Sequence, residues 1–188
     1  MKNKIVYVPL AVDILHSGHL NIINKAKKYG KIVIGLLSDN AVAEYKNIPS
    51  LGYKERFQIV KNLKNVHKII KQNTWDYSKV LNSLKPDYFV HGDDWRKGIQ
   101  KKTRQKVIRL LKKNKAKLIE IPYTKNISSS SIKSDLINYL TPTSRVSILK
   151  RLIDSKKIVR ILEAHSPLSG LIVENTKLNT KNFLKEFD

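Results

Sequence analysis

The stretch Ile5-Val6-Tyr7-Val8-Pro9-Leu10-Ala11-Val12-Asp13-Ile14-Leu15-His16-Ser17-Gly18-His19 runs from a short apolar segment through a polar turn into residues of helical periodicity. Leu20, Ile22, Ile23 and Ala26 then recur on one helical face, so the segment predicts a strand feeding a helix, the opening of a βα unit. The alternation continues along the chain. Strands are predicted near Ile5–Leu10, Ile32–Leu37, Val66–Ile70, Tyr88–Val90 and Leu118–Ile121. Helices are predicted over Gly18–Tyr29, Tyr53–Lys64, Tyr77–Leu84, Ile99–Asn114 and Ser129–Tyr139.

Near-continuous apolar strands separated by amphipathic helices imply an α/β domain. A Rossmann-like, doubly wound, parallel five-stranded sheet is expected over residues 1–140. Thr141-Pro142-Thr143-Ser144 reads as a linker. Residues 141–188 then carry one helical segment, Val146–Ser155, and one strand-like segment, Ile158–Ala164. This short helix-strand fragment is too small to bury an apolar face by itself.

Composition narrows the chemistry. The 188 residues include no cysteine, which excludes disulfides, thiolate metal sites and cysteine nucleophiles. No apolar run approaches the roughly 20 residues of a membrane-spanning helix, so no membrane association and a cytoplasmic location are expected. With 37 Lys+Arg against 15 Asp+Glu, the formal net charge is +22. Such a chain attracts polyanions, nucleotide triphosphates among them. Its lysines are spread out rather than gathered in one block, and aromatics are only 7%, too few for base-stacking platforms. Specific nucleic-acid binding is therefore not expected, and a basic nucleic-acid-binding domain without catalysis stands as the alternative class.

The chemistry-bearing residues gather at strand ends. In Asp13-Ile14-Leu15-His16-Ser17-Gly18-His19 the two histidines lie three apart at a helix start, and Gly18 lets a phosphate approach the backbone. Two imidazoles and free N–H groups at a helix N-terminus suit a phosphate that gains charge in its transition state. Lys46 and Arg56 suit triphosphate binding, although Lys46 is equally a solvated lysine among many. Asp94 is either an acceptor for an exocyclic amino group or a turn aspartate. Trp75 and Trp95 either stack on a ligand or pack the core. Asp13 and Asp39 either bind acceptor or metal, or cap a turn. Ser128, Ser129 and Ser130 form a helix cap that is compatible with phosphate binding.

Asp13-x-x-His16-x-Gly18-His19 after a first strand resembles the signature of the cytidylyltransferases of the HxGH nucleotidyltransferase superfamily. Further matches follow in order: Ser38-Asp39-Asn40, Lys46, Tyr53-Lys54-Glu55-Arg56, Trp75, Gly92-Asp93-Asp94-Trp95 and Ile127-Ser128-Ser129-Ser130. The resemblance covers about residues 4–140. It implies that His16, His19 and Lys46 are catalytic, that Gly18, Asp94 and Ser128–Ser130 bind the nucleotide, and that Asp13, Asp39, Arg56, Trp75 and Trp95 bind the acceptor. It further implies CTP as nucleotide donor, a small phosphonate or phosphate acceptor, Mg²⁺ on the nucleotide phosphates rather than a dedicated protein metal site, and a homodimer. Two departures stand out. Val12 occupies a position where the family often has Phe, and Tyr123-Thr124-Lys125-Asn126 stands where many members have Arg-Thr-Glu-Gly. Lys125 or Lys133 is the candidate replacement for that arginine's charge.

Arg145-Val146-Ser147-Ile148-Leu149-Lys150 and the stretch Arg160–Glu174, with Glu163-Ala164-His165 and Leu168-Ser169, resemble the opening of phosphoenolpyruvate mutase, a barrel enzyme of the isocitrate lyase superfamily. Mutase activity is not expected of the 188 residues, since one barrel unit makes no closed site. The expectation is a piece of a longer bifunctional protein. A cytidylyltransferase joined to a mutase resembles the arrangement of fosfomycin-type phosphonate pathways. That implies CMP transfer to a phosphonate such as 2-hydroxyethylphosphonate, with glycerol-3-phosphate or phosphocholine as alternative acceptors.

Overall fold

The β-branched runs of the sequence become the middle of a sheet buried on both sides. In the computed structural model, residues 4–45, 47–122, 124, 128–129, 132, 142–155, 163–175, 177–180 and 183–186 are described. The strands are β1 (Ile5–Leu10), β2 (Lys31–Leu37), β3 (Val66–Gln72), β4 (Tyr88–Gly92) and β5 (Lys117–Ile121). They form one five-stranded sheet in the order β3-β2-β1-β4-β5, every neighbouring pair parallel. The helices between them are α1 (Ser17–Ala26), α2 (Asp39–Ala43), α3 (Tyr53–Lys61), α4 (Ser78–Leu84) and α5 (Lys101–Lys113). The expected α/β, Rossmann-like, doubly wound sheet is therefore the observed fold.

Each face of the sheet has its own core. Val6, Val8, Leu10, Ile32, Ile34, Leu36 and Val90 pack with Ile23 and Ala26 of α1 and Val60 of α3. Tyr7, Val33 and Phe89 point the other way and pack with Val80 and Leu81 of α4 and Val107 and Leu111 of α5. Alternate residues of one strand thus serve opposite layers, as the pleat requires. Gly35 in β2 is a packing necessity, because a Cβ there would lie 1.9 Å from the Tyr7 hydroxyl. That buried hydroxyl donates to Gln72 Oε1 at 3.0 Å, and the Gln72 amide donates to the Thr74 and Asp76 carbonyls at 2.6 and 3.1 Å. A core tyrosine therefore anchors the loop that carries Trp75.

The strand order reverses between β1 and β4, whose registered pairs are Val6 with Tyr88 and Tyr7 with Phe89. Beyond these pairs the two strands part, which opens the crevice where ligands bind in doubly wound sheets. Three short features were not expected from periodicity. They are the one-turn α2 and two 3₁₀ turns, Asp93–Arg96 and Gly98–Gln100.

Beyond the sheet lie α6 (Pro142–Ser155), α7 (Pro167–Asn175) and an antiparallel pair, β6 (Lys177–Thr180) with β7 (Phe183–Glu186). The expected helix Val146–Ser155 is the greater part of α6. Of the strand expected over Ile158–Ala164, residues 163 and 164 belong to no strand, and 158–162 lie outside the described residues. Most of the helix expected over Ser129–Tyr139 also lies outside them, although Ser129 and Ile132 are helical. No helix among the described residues is long and apolar enough to cross a membrane.

Candidate active site

After β1 the chain turns through Val12, whose φ of +50° is a left-handed conformation rare for a β-branched residue. The turn delivers Asp13 and the two histidines to the crevice. His16 is the N-cap of α1: its Nδ1 accepts the Gly18 N–H at 3.1 Å, while His19 Nδ1 accepts the His16 N–H at 3.3 Å. The histidines thus act as a reciprocal capping box. A ring nitrogen that accepts a backbone N–H carries no proton, so the hydrogen-bond pattern assigns the proton of each neutral imidazole to Nε2. The ring centroids are 4.0 Å apart. The first turn of α1 holds no acidic residue, which leaves its positive end uncompensated by side chains of that turn. Gly18 is required by space, since a Cβ there would meet the His16 ring at 2.8 Å.

Ser129 Oγ donates to the Ile14 carbonyl at 3.2 Å, and Asn21 donates to Thr124 Oγ1 at 3.3 Å. Ser129 is therefore brought to the histidine turn across 115 positions of sequence. Ser128 precedes it in the chain. Ser130, Lys46, Tyr123, Lys125 and Lys133 lie outside the described residues.

A second corner forms from Asp13, Asp39 and the 50–56 segment. Asp13 Oδ1 accepts the Ser50 N–H at 2.5 Å. Asp39 Oδ1 accepts from Arg56 Nη2 at 2.7 Å, and its Oδ2 accepts the Tyr53 N–H at 3.3 Å. Arg56 is fully buried, and its Nε and Nη1 also donate to the carbonyls of Leu51 and Ala11. Every guanidinium nitrogen is thereby engaged. The acceptor contact expected of Arg56 gives way to a positioning role: it ties Ala11, Leu51 and Asp39 together, because a buried guanidinium needs partners for its donors.

Trp75 is half-buried and stacks on Tyr45 with centroids 5.2 Å apart and planes 7° from parallel. Both rings, like Ala11, pack against the Leu37, Ala41 and Val42 cluster, beside the acidic corner. Burial and the Asp94 charge push the Tyr45 phenol well above its ordinary value, with Arg56 opposing.

Trp95, the other expected acceptor residue, is only 1% exposed. It stacks on His91 and Phe89 at centroid distances of 4.0 and 5.6 Å. Its Nε1–H donates to Glu120 Oε1 at 2.7 Å. Trp95 is therefore core, and its burial leaves no open ring face for the acceptor contact expected of it. The sequence reading missed Glu120, which also accepts from Arg104 at 2.8 and 3.0 Å and from Arg96 at 2.8 and 3.2 Å. The Arg104 bonds above all, followed by those of Arg96 and Trp95, hold the Glu120 carboxyl down to about 2 against the opposing effect of burial. This network fixes the 3₁₀ turn that leaves the Asp94 side chain 46% exposed, 3.8 Å from His91 Nδ1.

Among the described residues no group of three or more His, Cys, Asp or Glu side chains is arranged to hold a metal ion.

A parallel sheet with two ordered imidazoles capping a helix beside its strand-order reversal has the architecture of an α/β nucleotidyltransferase. The chain belongs to the cytidylyltransferase-like family, whose pattern matches residues 12–135. It is 35% identical over 82 residues to an FAD synthase of Methanohalophilus mahii, covering 44% of this chain and 58% of that one. It is 32% identical over 91 residues to an ethanolamine-phosphate cytidylyltransferase of Dictyostelium discoideum, covering 47% of this chain and 25% of the relative. To the bifunctional protein HldE of Helicobacter pylori it is 35% identical over 97 residues, 50% of this chain and 21% of that one. The chain thus spans from about a fifth to somewhat over half of these relatives. A lipopolysaccharide core biosynthesis protein of Thermoplasma volcanium shares the fold, with a TM-score of 0.52 and 23% identity over 66% of this chain and 98% of that one.

Proposed function

We propose that the protein transfers CMP from CTP to a small phosphonate such as 2-hydroxyethylphosphonate. The observation that carries nucleotidyl transfer is the reciprocal cap of His16 and His19, which leaves Nε2–H as the donor of both rings at the head of α1. An oxygen of the acceptor attacks the α-phosphorus in line. The new P–O bond forms as the bond to the bridging α,β oxygen breaks, and pyrophosphate leaves with that electron pair.

His16 and His19 donate to phosphoryl oxygens as they gain charge, a form of stabilisation that is strong because the donors are already oriented. Lys46 and the Ser128–Ser130 segment assist at the triphosphate. The exposed Asp94 carboxylate accepts the cytosine amino group, while Asp13, Asp39 and Trp75 line the acceptor side. Mg²⁺ bound to the triphosphate would neutralise part of its charge. The phosphonate acceptor is supported by the resemblance of residues 145–174 to the opening of phosphoenolpyruvate mutase. The homodimer implied by the family resemblance is checked by light scattering.

A second reading, adenylyl transfer from ATP, is favoured by the 35% identity to an FAD synthase. Pyrophosphate release with Mg²⁺ separates the two readings. CTP and ATP are each paired with 2-hydroxyethylphosphonate, 2-aminoethylphosphonate, ethanolamine phosphate, glycerol-3-phosphate and phosphocholine. Release from CTP with a phosphonate is the expected result. Release only with a phosphate ester would overturn the acceptor, and release only from ATP would overturn the nucleotide.

A further inference from the structure

Helix α6 belongs to the segment read from sequence as the start of another unit, yet it reaches the acidic corner of the site. Arg151 Nη1 donates to the Ser50 carbonyl, and Nη2 lies 3.9 Å from Asp39 Oδ2, beyond hydrogen-bond reach. Among the described residues, this Nη2 is the one buried side-chain nitrogen or oxygen without a hydrogen-bond partner. A buried guanidinium nitrogen in that condition is uncommon, because desolvating a charged donor without replacing its partner is unfavourable.

The neighbours give Nη2 an ion pair with Asp39 but no hydrogen bond. Asp39 is already engaged by Arg56 and the Tyr53 N–H, and Asp13 Oδ1 accepts from the Ser50 N–H. Arg56 has all three nitrogens occupied and sits at zero exposure. The Arg151 side chain is by contrast 27% exposed, although Nη2 itself is covered, so a ligand reaches Nη2 as the neighbouring side chains give way. Arg151 is held against Ser50, whose N–H donates to Asp13 in the turn that leaves β1 for the histidines. An oxyanion at this point would complete the bonding of Nη2. Two carboxylates nearby favour a ligand that also carries a hydroxyl or ammonium group, which they can accept from.

We propose that Arg151 binds a non-reacting phosphoryl or phosphonyl oxygen of the acceptor, which makes α6 part of the transferase site. The proposal rests on the cytidylyl-transfer reading for the identity of its ligand. A guanidinium presents paired donors to tetrahedral oxyanions, a geometry that Lys does not reproduce.

The test uses the full chain and its Arg151→Met and Arg151→Lys variants, with circular dichroism to confirm that each is folded. Steady-state transfer is expected to show KM for the acceptor raised roughly 10- to 100-fold in Arg151→Met, the loss typical of a charge-assisted hydrogen bond. KM for CTP should stay within about twofold, and Arg151→Lys should recover only part of the loss. An unchanged acceptor KM, or equal rises for acceptor and CTP, would overturn the assignment while leaving the reaction intact.

If the wild-type protein transfers to none of the acceptors, the cytidylyl-transfer reading fails instead. Calorimetric titration with 2-hydroxyethylphosphonate and with phosphocholine then decides Arg151 by itself. Binding that weakens roughly tenfold or more in Arg151→Met supports the proposal and distinguishes phosphonate from phosphate ester. Binding that is equal in both proteins, or absent from the wild type, overturns it.

Discussion

The two halves of the candidate site are built in opposite ways. The histidine turn, proposed as the catalytic half, is local: His16, Gly18 and His19 lie within one helical turn and orient one another through backbone caps. The acidic corner, proposed for the acceptor, is assembled from distance. Asp13, Asp39, Ser50, Arg56 and Arg151 come from five points of the chain, and the Arg151 to Ser50 bond spans 101 positions. A local half is specified by a motif and should fail through its own atoms. A distributed half should be tuned by residues that no motif contains.

The largest effect is expected in the local half from Gly18→Ala. Its Cβ would sit 2.8 Å from the His16 ring, so the ring must move and the cap must open. Displacement of a catalytic group by about 1 Å costs on the order of 10²-fold in rate, so kcat should fall by that much while the melting temperature changes little. A variant with normal kcat would break the comparison, because the histidine geometry would then be dispensable.

Next comes the Glu120 network, which supports the Asp94 turn from outside the motif. The Glu120 carboxyl titrates near 2 in the folded protein against about 4.5 ordinarily. A depressed carboxylate stabilises the fold at pH values above its unfolded value, and that stability is lost as pH falls from about 4.5 through about 2. Such a shift corresponds to about 3 kcal/mol. Glu120→Gln should lower the urea midpoint at pH 7, and its difference from wild type should narrow as pH falls below about 4.5. A difference independent of pH would contradict the assignment.

In the acceptor half, Trp75→Leu removes the stack on Tyr45. The KM for acceptor should rise roughly 3- to 10-fold with the CTP KM unchanged, in keeping with the energy of one aromatic pair. Equal changes for both substrates would blur the division into halves. The smallest effect is expected from Tyr7→Phe. Losing the 3.0 Å bond to Gln72 should lower stability by about 1 kcal/mol, read as a shifted urea midpoint, with transfer kinetics little changed.

The same contrast explains what the sequence disclosed. The central strands were legible because buried parallel strands are continuous apolar runs, and β1 matches its expected bounds, Ile5–Leu10, to the residue. The histidine turn was legible because its chemistry lies within seven residues. The helix Asp39–Ala43 escaped because five residues complete too little of a helical period to register. Trp95 was misplaced because its partner, Glu120, lies 25 positions away, and only tertiary structure decides whether an indole meets a ligand or a carboxylate. Arg151 gave no local signal, since nothing in the sequence beside it separates a cation that turns inward from a solvated one.

We propose that His16 and His19 stabilise nucleotidyl transfer through Nε2. The most direct measurement compares pyrophosphate release from CTP and a phosphonate acceptor by the wild-type protein with release by His16→Ala and His19→Ala, each checked for an intact fold. Each substitution is predicted to lower kcat by on the order of 10²-fold or more, the usual loss when one oriented donor to developing charge is removed. Folded variants that turn over at the wild-type rate would contradict it.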